Sequence, residues 1–402
     1  MKIPRLLLAA LSVALLGRAA EKPASFTDAL AQGKVSLNLR FRYEGVEQTG
    51  LRDATALTLR TRLGFTTAPL AGWKAMLEAE NITAVDGDSY SQAGLNPGGA
   101  GRAVVADPEL TEINQAFISY TTGKTSLTLG RQRLVLDNAR FVGDVGWRQN
   151  MQTFDAAVLQ DKSLDQTVLT YAYLERINRV FGDHHAQGYW RSNSHLFNAS
   201  YAGLPAGTFT GYVYLLDFRK PAAASSCATY GASFAGTAKI TPELTLAYRI
   251  EAARQTDYGS SPLNFSANYF LLETGLSAKP GGLALGYEVM GSDHNVGFKT
   301  PLATLHAFNG WADLFLATPA AGLRDTYVKG SANLPAGVSL LAFQHWYESA
   351  TGATRLGTEF NLQLSRKFGP RFTGLLKYAD FRRGNAAQPD VRKIWAQLEF
   401  AL

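Results

Sequence analysis

The chain ends with Arg392-Lys393-Ile394-Trp395-Ala396-Gln397-Leu398-Glu399-Phe400-Ala401-Leu402. In this stretch every second residue is apolar: Ile394, Ala396, Leu398, Phe400 and Leu402. A period of two places these side chains on one face of a β-strand and the intervening, mostly polar ones on the other. In a transmembrane barrel the outward face of such a strand meets lipid and the inward face meets water. A soluble sandwich can end in the same way, so the rest of the chain decides between the two.

Alternating segments of about ten residues recur along the chain and are separated by tight and long connections in turn. The tight connections lie at 68–72, 121–124, 161–165, 204–207, 241–243, 279–282, 334–337 and 368–370. Most of them contain Pro or Gly, which supply the backbone angles that hairpin turns require. The longer connections lie at 45–52, 86–109, 137–152, 180–193, 219–228, 256–265, 291–322, 349–353 and 383–390.

This alternation predicts an all-β chain that forms a single transmembrane antiparallel β-barrel of about 18 strands. Short turns are expected on the periplasmic side, together with both termini, and long loops on the external side. Aromatic residues crowd the turn side, as an interfacial girdle would: Phe65, Trp73, Tyr120, Tyr201, Phe209, Phe368, Phe372 and Phe400. A β-propeller or a large sandwich is the rival architecture, but neither requires connections that alternate in length.

The N-terminus has the features of an export signal. A short basic start is followed by an apolar run at 6–17 and by small residues at Gly17 and Ala19. That run is too short to cross a bilayer as a helix. We therefore predict a signal peptide at 1–19, a periplasmic segment at 20–33 and the barrel at 34–402, located in the bacterial outer membrane.

Composition narrows the function classes. Cys227 is the single cysteine, so no intramolecular disulfide framework is expected. Without the basic residues of the predicted signal peptide, 36 basic and 33 acidic residues remain, a net charge of about +3. The basic residues are spread singly along the strands, which excludes a nucleic-acid-binding surface. The expected partners are outer-membrane lipid, the barrel-assembly machinery through the C-terminal strand, and a transported solute.

Four arginines are predicted to face the lumen from the first two strands: Arg40, Arg42, Arg60 and Arg62. They alternate with apolar residues, and a charge on the lipid face would cost roughly 2–4 kcal/mol at the midplane. Arg131 and Arg133 are expected to join this basic patch. Leu129 and Leu134 have opposite parity, which predicts a bulge or kink near Gly130. A like-charge cluster of this kind would raise the local anion concentration.

Acidic residues also fall at inward positions: Glu78, Glu80, Glu251, Glu273, Glu288, Glu359 and Glu399. Taken singly, each charge is better interpreted as a solvated lumen residue or as half of a structural ion pair. The predicted lumen is therefore mixed in charge, with a preference for anions.

Several short motifs carry a resemblance to a known family: VVADPE at 104–109, EINQAF at 112–117, LGRQR at 129–133, LDN at 136–138, RFVG at 140–143, GWRQN at 146–150 and QTFDA at 152–156. These resemble the alginate-export family of outer-membrane porin-like proteins. The similarity is close over 104–157 and loose over the rest of the chain. It implies an 18-stranded barrel, and in the family's founding member an Arg/Lys-lined pore that exports an anionic uronate polymer.

The motif region contains a loop long enough to fold back into the pore. Arg140, Trp147, Arg148 and Asn150 are candidates for a constriction whose guanidinium and aromatic groups contact sugar carboxylates and ring faces. A rigid plug that only shapes the barrel is the equally weighted alternative.

The function predicted from these features is an outer-membrane channel for small or oligomeric anionic solutes, including uronate-type saccharides. No nucleophile elbow, phosphate-binding loop or zinc pattern occurs, so neither an enzyme nor a cofactor is predicted. An outer-membrane hydrolase and an occluded structural or adhesin barrel remain the alternatives. A further hypothesis is a Ca²⁺ site formed by loop aspartates: Asp86, Asp88, Asp107 and Asp137.

Overall fold

A computed structural model describes residues 22–384 and 388–402. The predicted signal peptide at 1–19 lies outside the described residues. Within these two ranges no helix is both long and apolar enough to cross a membrane.

The chain forms a single sheet of 18 strands, preceded by the short helix α1 (Phe26–Ala31). The barrel strands are β1 (Lys34–Gln48), β2 (Ala54–Thr66), β3 (Trp73–Ala84), β4 (Leu110–Thr122), β5 (Thr125–Gln132), β6 (Thr153–Asp161), β7 (Thr167–Asn178), β8 (Tyr189–Leu204), β9 (Gly207–Leu216), β10 (Cys227–Lys239), β11 (Thr245–Thr256), β12 (Ser266–Ala278), β13 (Gly281–Met290), β16 (Leu323–Leu334), β17 (Val338–Glu348), β18 (Arg355–Phe368), β19 (Phe372–Arg383) and β20 (Val391–Ala401). Between β13 and β16, the two-residue strands β14 (Ser292–Asp293) and β15 (Val296–Gly297) form a separate small hairpin.

The sheet closes on itself because β1 pairs with both β2 and β20. Each barrel strand runs antiparallel to its neighbours in the chain, and the closing ladder extends from Asn38 opposite Ala401 to Gln48 opposite Val391. Among the barrel strands that the structure describes, closure leaves no edge with unpaired backbone groups, which a membrane would not tolerate. The predicted fold class, including the count of 18 strands, is confirmed.

The outer surface of the barrel is apolar because the strand period is two. Leu63, Leu77 and Leu285 are each more than half exposed, as lipid-facing side chains would be. At the turn end Trp73 packs on Tyr120 with ring centroids 4.8 Å apart, as expected for an interfacial girdle.

Connection lengths match the predicted alternation, with eight short turns on one side and nine loops on the other. In the first turn Gly72 has φ +88°, and a Cβ there would lie 2.5 Å from the carbonyl oxygen of Thr121. This position therefore requires glycine. Helix α1 lies on the turn side, where the backbone N–H of Ala68 donates to the carbonyl of Ala29 at 2.9 Å.

A bulge or kink was predicted near Gly130, and the prediction of a bulge is wrong, because the register does not change there. Gly130 has φ +116°, but the β4–β5 and β5–β6 ladders continue through it without a shift. The change of parity has another cause: β5 ends at Gln132, and the chain then turns into the barrel, where Leu134 and Leu136 are buried. Register shifts occur instead beside Ala79, Ala156 and Leu174.

Candidate functional site: a lumen filled by two inner loops

Two long loops fold into the barrel and join each other there. We call residues 133–152 the first inner loop and residues 291–322 the second inner loop. The N–H of Gly143 donates to the carbonyl of Leu302 at 2.8 Å, and the N–H of Thr304 donates to Ala139 at 3.0 Å. The Gln152 side chain donates to the carbonyls of both Gly143 and Leu302, at 2.9 and 3.2 Å. The loops therefore form one hydrogen-bonded unit inside the lumen.

The arginines of β1 bind the tip of the first inner loop. Arg40 donates through Nη1 to the backbone carbonyls of residues 146–148, at 3.1 to 3.3 Å, and through Nε to Glu399 at 3.2 Å. Arg42 lies over the Trp147 ring at 4.1 Å and donates to the Gln397 amide oxygen at 2.7 Å. Both side chains are therefore held between the barrel wall and the loop.

The arginines of β2 act on the next part of the same loop. Arg62 donates to the carbonyl of Gln149 at 3.2 Å and also pairs with Glu80. Arg60 donates to Asn38 and lies 3.7 Å from Glu399. The four arginines thus have carboxylate, amide and carbonyl partners, and they do not present four uncompensated charges to the lumen.

The two arginines predicted to join this patch lie elsewhere. Arg131 has the parity of the lipid-facing Leu129, whereas the buried Gln132 faces inward, so its assignment as a pore-lining residue is wrong. It pairs with Asp155, also on the outer face, at 2.8 Å. Arg133 begins the first inner loop, pairs with Asp144 and keeps 57% of its side chain exposed.

Arg148 is the main ionic anchor of the first inner loop. It is buried and pairs with Glu44 at 3.0 Å and with Asp313 of the second inner loop at 2.8 Å. Asp107 lies 3.8 Å away and accepts the backbone N–H of Gln149 at 2.8 Å. A buried cation surrounded by several carboxylates fixes the position of the loop backbone.

Arg140 anchors the same loop to the opposite wall. Its Nε donates to Glu288 of β13 at 2.6 Å, and its Nη2 donates to Asn309 of the second inner loop at 3.1 Å. Asn150 is fully buried, and its amide lies 3.5 Å from the carbonyl of Arg179. Arg140, Trp147, Arg148 and Asn150 are therefore brought together with the wall, but each is occupied by protein contacts.

Acidic wall residues hold the second inner loop. The N–H of Ala312 donates to Glu359 at 2.8 Å, and the Asn309 amide donates to Glu288 at 2.6 Å and to Asp325 at 3.2 Å. The wall is thus complementary to the loops at both places. The arginines of β1 and β2 donate to carbonyls of the first inner loop, and the carboxylates of β13, β16 and β18 accept from N–H groups of the second inner loop and from Arg140.

A histidine links the loops to the final strands. Nε2 of His306 lies 2.7 Å from the Lys377 ammonium, which can only donate, so Nδ1 must carry the proton given to Asp313 at 2.6 Å. Burial lowers the pKa of His306 well below its usual value, and Lys377 acts in the same direction while Asp313 opposes it. The ring stacks on Trp147 at 4.6 Å. The neutral imidazole therefore bridges a cation and an anion.

On the loop side of the barrel is a cavity of about 480 Å³ that we call the vestibule, and residues of the second inner loop form much of its lining. Arg179, Trp190, Phe298 and Lys299 line it. The Arg179 guanidinium lies 4.0 Å from the centre of the Trp190 ring, and Lys299 lies 4.2 Å from the centre of Phe265. Burial lowers the pKa of Arg179 to about 10, which leaves it charged at neutral pH. Within the described ranges, no carboxylate lies within 4.0 Å of either cation.

Metal and hydrolase chemistry find no support in the part of the chain that the structure describes. No group of three or more His, Cys, Asp or Glu residues there could hold a metal ion. Asp107 is engaged with Arg148, Asp137 accepts from Asn198 at 2.9 Å, and Asp86 caps a 3₁₀ turn, so the Ca²⁺ hypothesis is wrong for these residues. No serine hydroxyl hydrogen-bonds to a histidine among the described residues.

The comparisons with known proteins agree with this architecture. The family model described as "Alginate export" matches residues 31–172, so the resemblance seen in the sequence is confirmed over that segment. No curated protein matches the chain.

Similar solved structures cover nearly the whole chain. OccK9 (OpdG) of Pseudomonas aeruginosa has a TM-score of 0.73 at 14% identity and covers 93% of this chain and 100% of its own. OpdK of the same organism, solved with vanillate, has a TM-score of 0.73 at 15% identity, with 93% and 99% covered. OccAB4 of Acinetobacter baumannii has a TM-score of 0.72 at 14% identity, with 92% and 98% covered.

Fold and site together define the class: a porin-like antiparallel β-barrel of the bacterial outer membrane. Within that class, the chain is similar to the alginate export family over residues 31–172, about a third of its length.

Sequence reasoning missed two parts of the site. The second inner loop was expected only as a long external connection, although its length of 32 residues was a signal that it could fold inward. The vestibule cations were missed because Arg179 and Lys299 are isolated in the sequence and converge only in the fold.

Proposed function

We propose that the protein is an outer-membrane channel for small anionic solutes, with uronate-type saccharides among them. The observation that carries the proposal is the vestibule, where Arg179 and Lys299 face one cavity with aromatic walls and without a carboxylate partner among the described residues. An anion that enters the vestibule from outside would meet both cations, Arg179 from the β7–β8 loop and Lys299 from the second inner loop.

The chemistry of the vestibule favours a ring that bears a carboxylate. A guanidinium can bind a carboxylate through two parallel hydrogen bonds, and an ammonium adds a point charge. Trp190 and Phe298 make part of the vestibule wall apolar, but Phe298 is fully buried, so only the exposed edge of Trp190 can contact a sugar or aromatic ring. Because the vestibule lies between low-dielectric protein walls, these interactions are screened less than they would be on an open surface.

The vestibule replaces the arginine wall as the selectivity element of this proposal. Arg40, Arg42, Arg60 and Arg62 carry like charges, but Glu399, Glu80 and loop carbonyls compensate them. Their proposed part in transport is indirect. They hold the first inner loop at a fixed position along the barrel axis and thereby determine the width of the constriction.

Two of the similar proteins support the same solute chemistry. Alginate is a polymer of uronates, and OpdK was solved with vanillate, an aromatic carboxylate. Both molecules combine a ring with a carboxylate, so glucuronate and vanillate are suitable probes for this chain.

Planar-bilayer recording tests the proposal. Wild-type protein is expected to prefer anions in a salt gradient, and glucuronate or vanillate should reduce its chloride current. The Arg179→Gln/Lys299→Gln variant should lose most of the anion preference and of the block, most visibly at low salt, where the Debye length reaches about 30 Å. The matched control Lys124→Gln/Lys162→Gln removes two exposed charges on the turn side and should behave as wild type.

Two results would overturn the proposal. A barrel that never conducts would favour the occluded or adhesin alternative, and a reversal potential equal in both double variants would remove the vestibule from selectivity.

A further inference from the structure

A row of charged residues lies on the outside of the barrel, at the loop-side ends of the neighbouring strands β5 to β9. The register places Arg131 opposite Asp155, Asp155 opposite Arg176, and Arg176 opposite Arg191. Beyond the end of β9, Ser192 pairs with Phe218, and the N–H of Arg219 donates to the carbonyl of Arg191 at 2.9 Å. Arg219 therefore continues the row. We call these five residues the outer arginine row.

The row faces away from the lumen. Its members alternate along each strand with residues that are buried inside the barrel: Phe154, Ile177, Trp190 and Phe218. Strand residues one position apart point to opposite faces, so the row lies on the outer surface. The vestibule and the inner loops are on the other side of the wall.

The row carries uncompensated positive charge. Asp155 already forms a bidentate ion pair with Arg131, with hydrogen bonds of 2.8 and 3.2 Å. Arg176, Arg191 and Arg219 have no carboxylate within 4.0 Å among residues 22–384 and 388–402. Like charges directly opposite each other on neighbouring strands are destabilising. Three arginines in succession therefore call for an anion from outside the chain.

The local structure forms a cavity for that anion. Arg176, Arg191 and Arg219 line a polar cavity of about 390 Å³ together with Asp155 and Glu175. Arg176 is held in place by the Tyr189 ring, 3.9 Å from its guanidinium carbon, and its buried Nε has no hydrogen-bond partner in the described structure.

The height of the row matches the outer headgroup layer. Leu129 and Leu159 mark the exposed apolar band on the same strands, and the row lies beyond this band toward the loops. With a rise of about 3.3 Å per residue, Arg131 is roughly 7 Å above Leu129 along its strand. Lipid tails thus meet the leucines, and phosphorylated headgroups meet the arginines.

We propose that the outer arginine row binds the phosphates of an anionic glycolipid, lipopolysaccharide, in the external leaflet. Guanidinium groups bind phosphate through paired, charge-assisted hydrogen bonds, which fixes orientation as well as affinity. The site is independent of the proposed transport function, because it lies on the other face of the wall. Bound glycolipid would neutralise the row and attach β7–β9 to the leaflet.

The test compares full-length proteins purified in mild detergent and measures both co-purified lipopolysaccharide and stabilisation against heat when lipopolysaccharide is added. Wild type should retain the glycolipid. Arg176→Gln/Arg191→Gln/Arg219→Gln should bind it about tenfold more weakly or worse, the loss expected when about one charge-assisted hydrogen bond is removed. The control Lys124→Gln/Lys162→Gln/Lys239→Gln removes three exposed charges at the turn side and should bind as wild type.

Three results would overturn the proposal. The first is normal lipopolysaccharide binding by the triple arginine variant, and the second is an equal loss of binding in the control. The third is stabilisation of wild type by inorganic phosphate or by dephosphorylated glycolipid to the same extent as by intact lipopolysaccharide. Should the triple variant fail to form a heat-modifiable barrel, the single change Arg191→Gln is measured in the same way, with a several-fold loss expected.

Discussion

The arginines of β1–β2 and those of the outer arginine row look alike in the sequence but differ in their surroundings. Arg40 and Arg62 face a lumen in which Glu399, Glu80 and the carbonyls of the first inner loop compensate them. Arg176 and Arg191 stand opposite each other on the outer face without such partners among the described residues. A cluster of like charges therefore indicates a site for an anion only after the chain's own carboxylates and carbonyls are placed.

The difference follows from what each face can reach. Inside the barrel, two loops and strands distant in sequence bring acceptors to the arginines, as Glu399 does across 359 residues from Arg40. Outside, the nearest carboxylates among the described residues are Asp155, which Arg131 already binds, and Glu175, which forms no ion pair within 4.0 Å, so a further acceptor has to come from the membrane.

The largest effect is expected from Arg148→Met. The substitution leaves Glu44, Asp107 and Asp313 buried without their shared cation, and removal of one partner of a buried ionic group costs roughly 3–5 kcal/mol. The first inner loop should detach, with a lower unfolding temperature and a higher, noisier conductance. Arg133→Met, in the same loop but 57% exposed, should change both measurements little. Equal behaviour of the two variants would show that burial of the ion pairs does not hold the loop.

A smaller effect is expected from Arg40→Gln/Arg62→Gln. The conductance should rise, because the first inner loop loses two of its contacts to the wall. The reversal potential should move less than in Arg179→Gln/Lys299→Gln, because the charges of Arg40 and Arg62 are compensated by neighbouring groups. Both variants remove two positive charges from the lumen side, so net charge is matched. A larger shift of the reversal potential in Arg40→Gln/Arg62→Gln would restore the arginine wall as the selectivity element.

The smallest effect is a pH dependence due to His306. Its pKa is lowered in the folded protein by burial, so the unfolded chain takes up the proton first. The neutral ring therefore contributes stability above about pH 6.5, and this contribution falls as the pH drops below that value toward the folded pKa. Conductance noise should increase between pH 7 and pH 5 as the loops loosen.

His306→Asn is the matched control, since its amide can still donate to Asp313 but does not titrate. This variant should show a smaller change with pH than wild type. The same pH dependence in both proteins would assign the titration to another group.

The fold could be predicted from the sequence because strand alternation is local. The alternation around Leu63 or Leu77 is visible within a few consecutive residues, and the lengths of the turns and loops then give the number of strands. The site could not be predicted to the same depth, because Arg148, Asp313 and Glu44 meet only after three separate segments converge. Arg131 was misassigned for a related reason: its parity was judged from Leu134 and Leu136, which turn out to follow the end of β5.

The ladder between β1 and β20 also bears on the order of assembly. Asn38 and Arg40 of the first strand bond to Glu399, so the support for the first inner loop is completed only when the last strand arrives. A nascent or truncated chain that lacks β20 has neither a closed wall nor the acceptor that orients Arg40. Formation of the β1–β20 ladder and positioning of the first inner loop are thus one event. A barrel that is not yet closed therefore lacks the support that fixes its constriction.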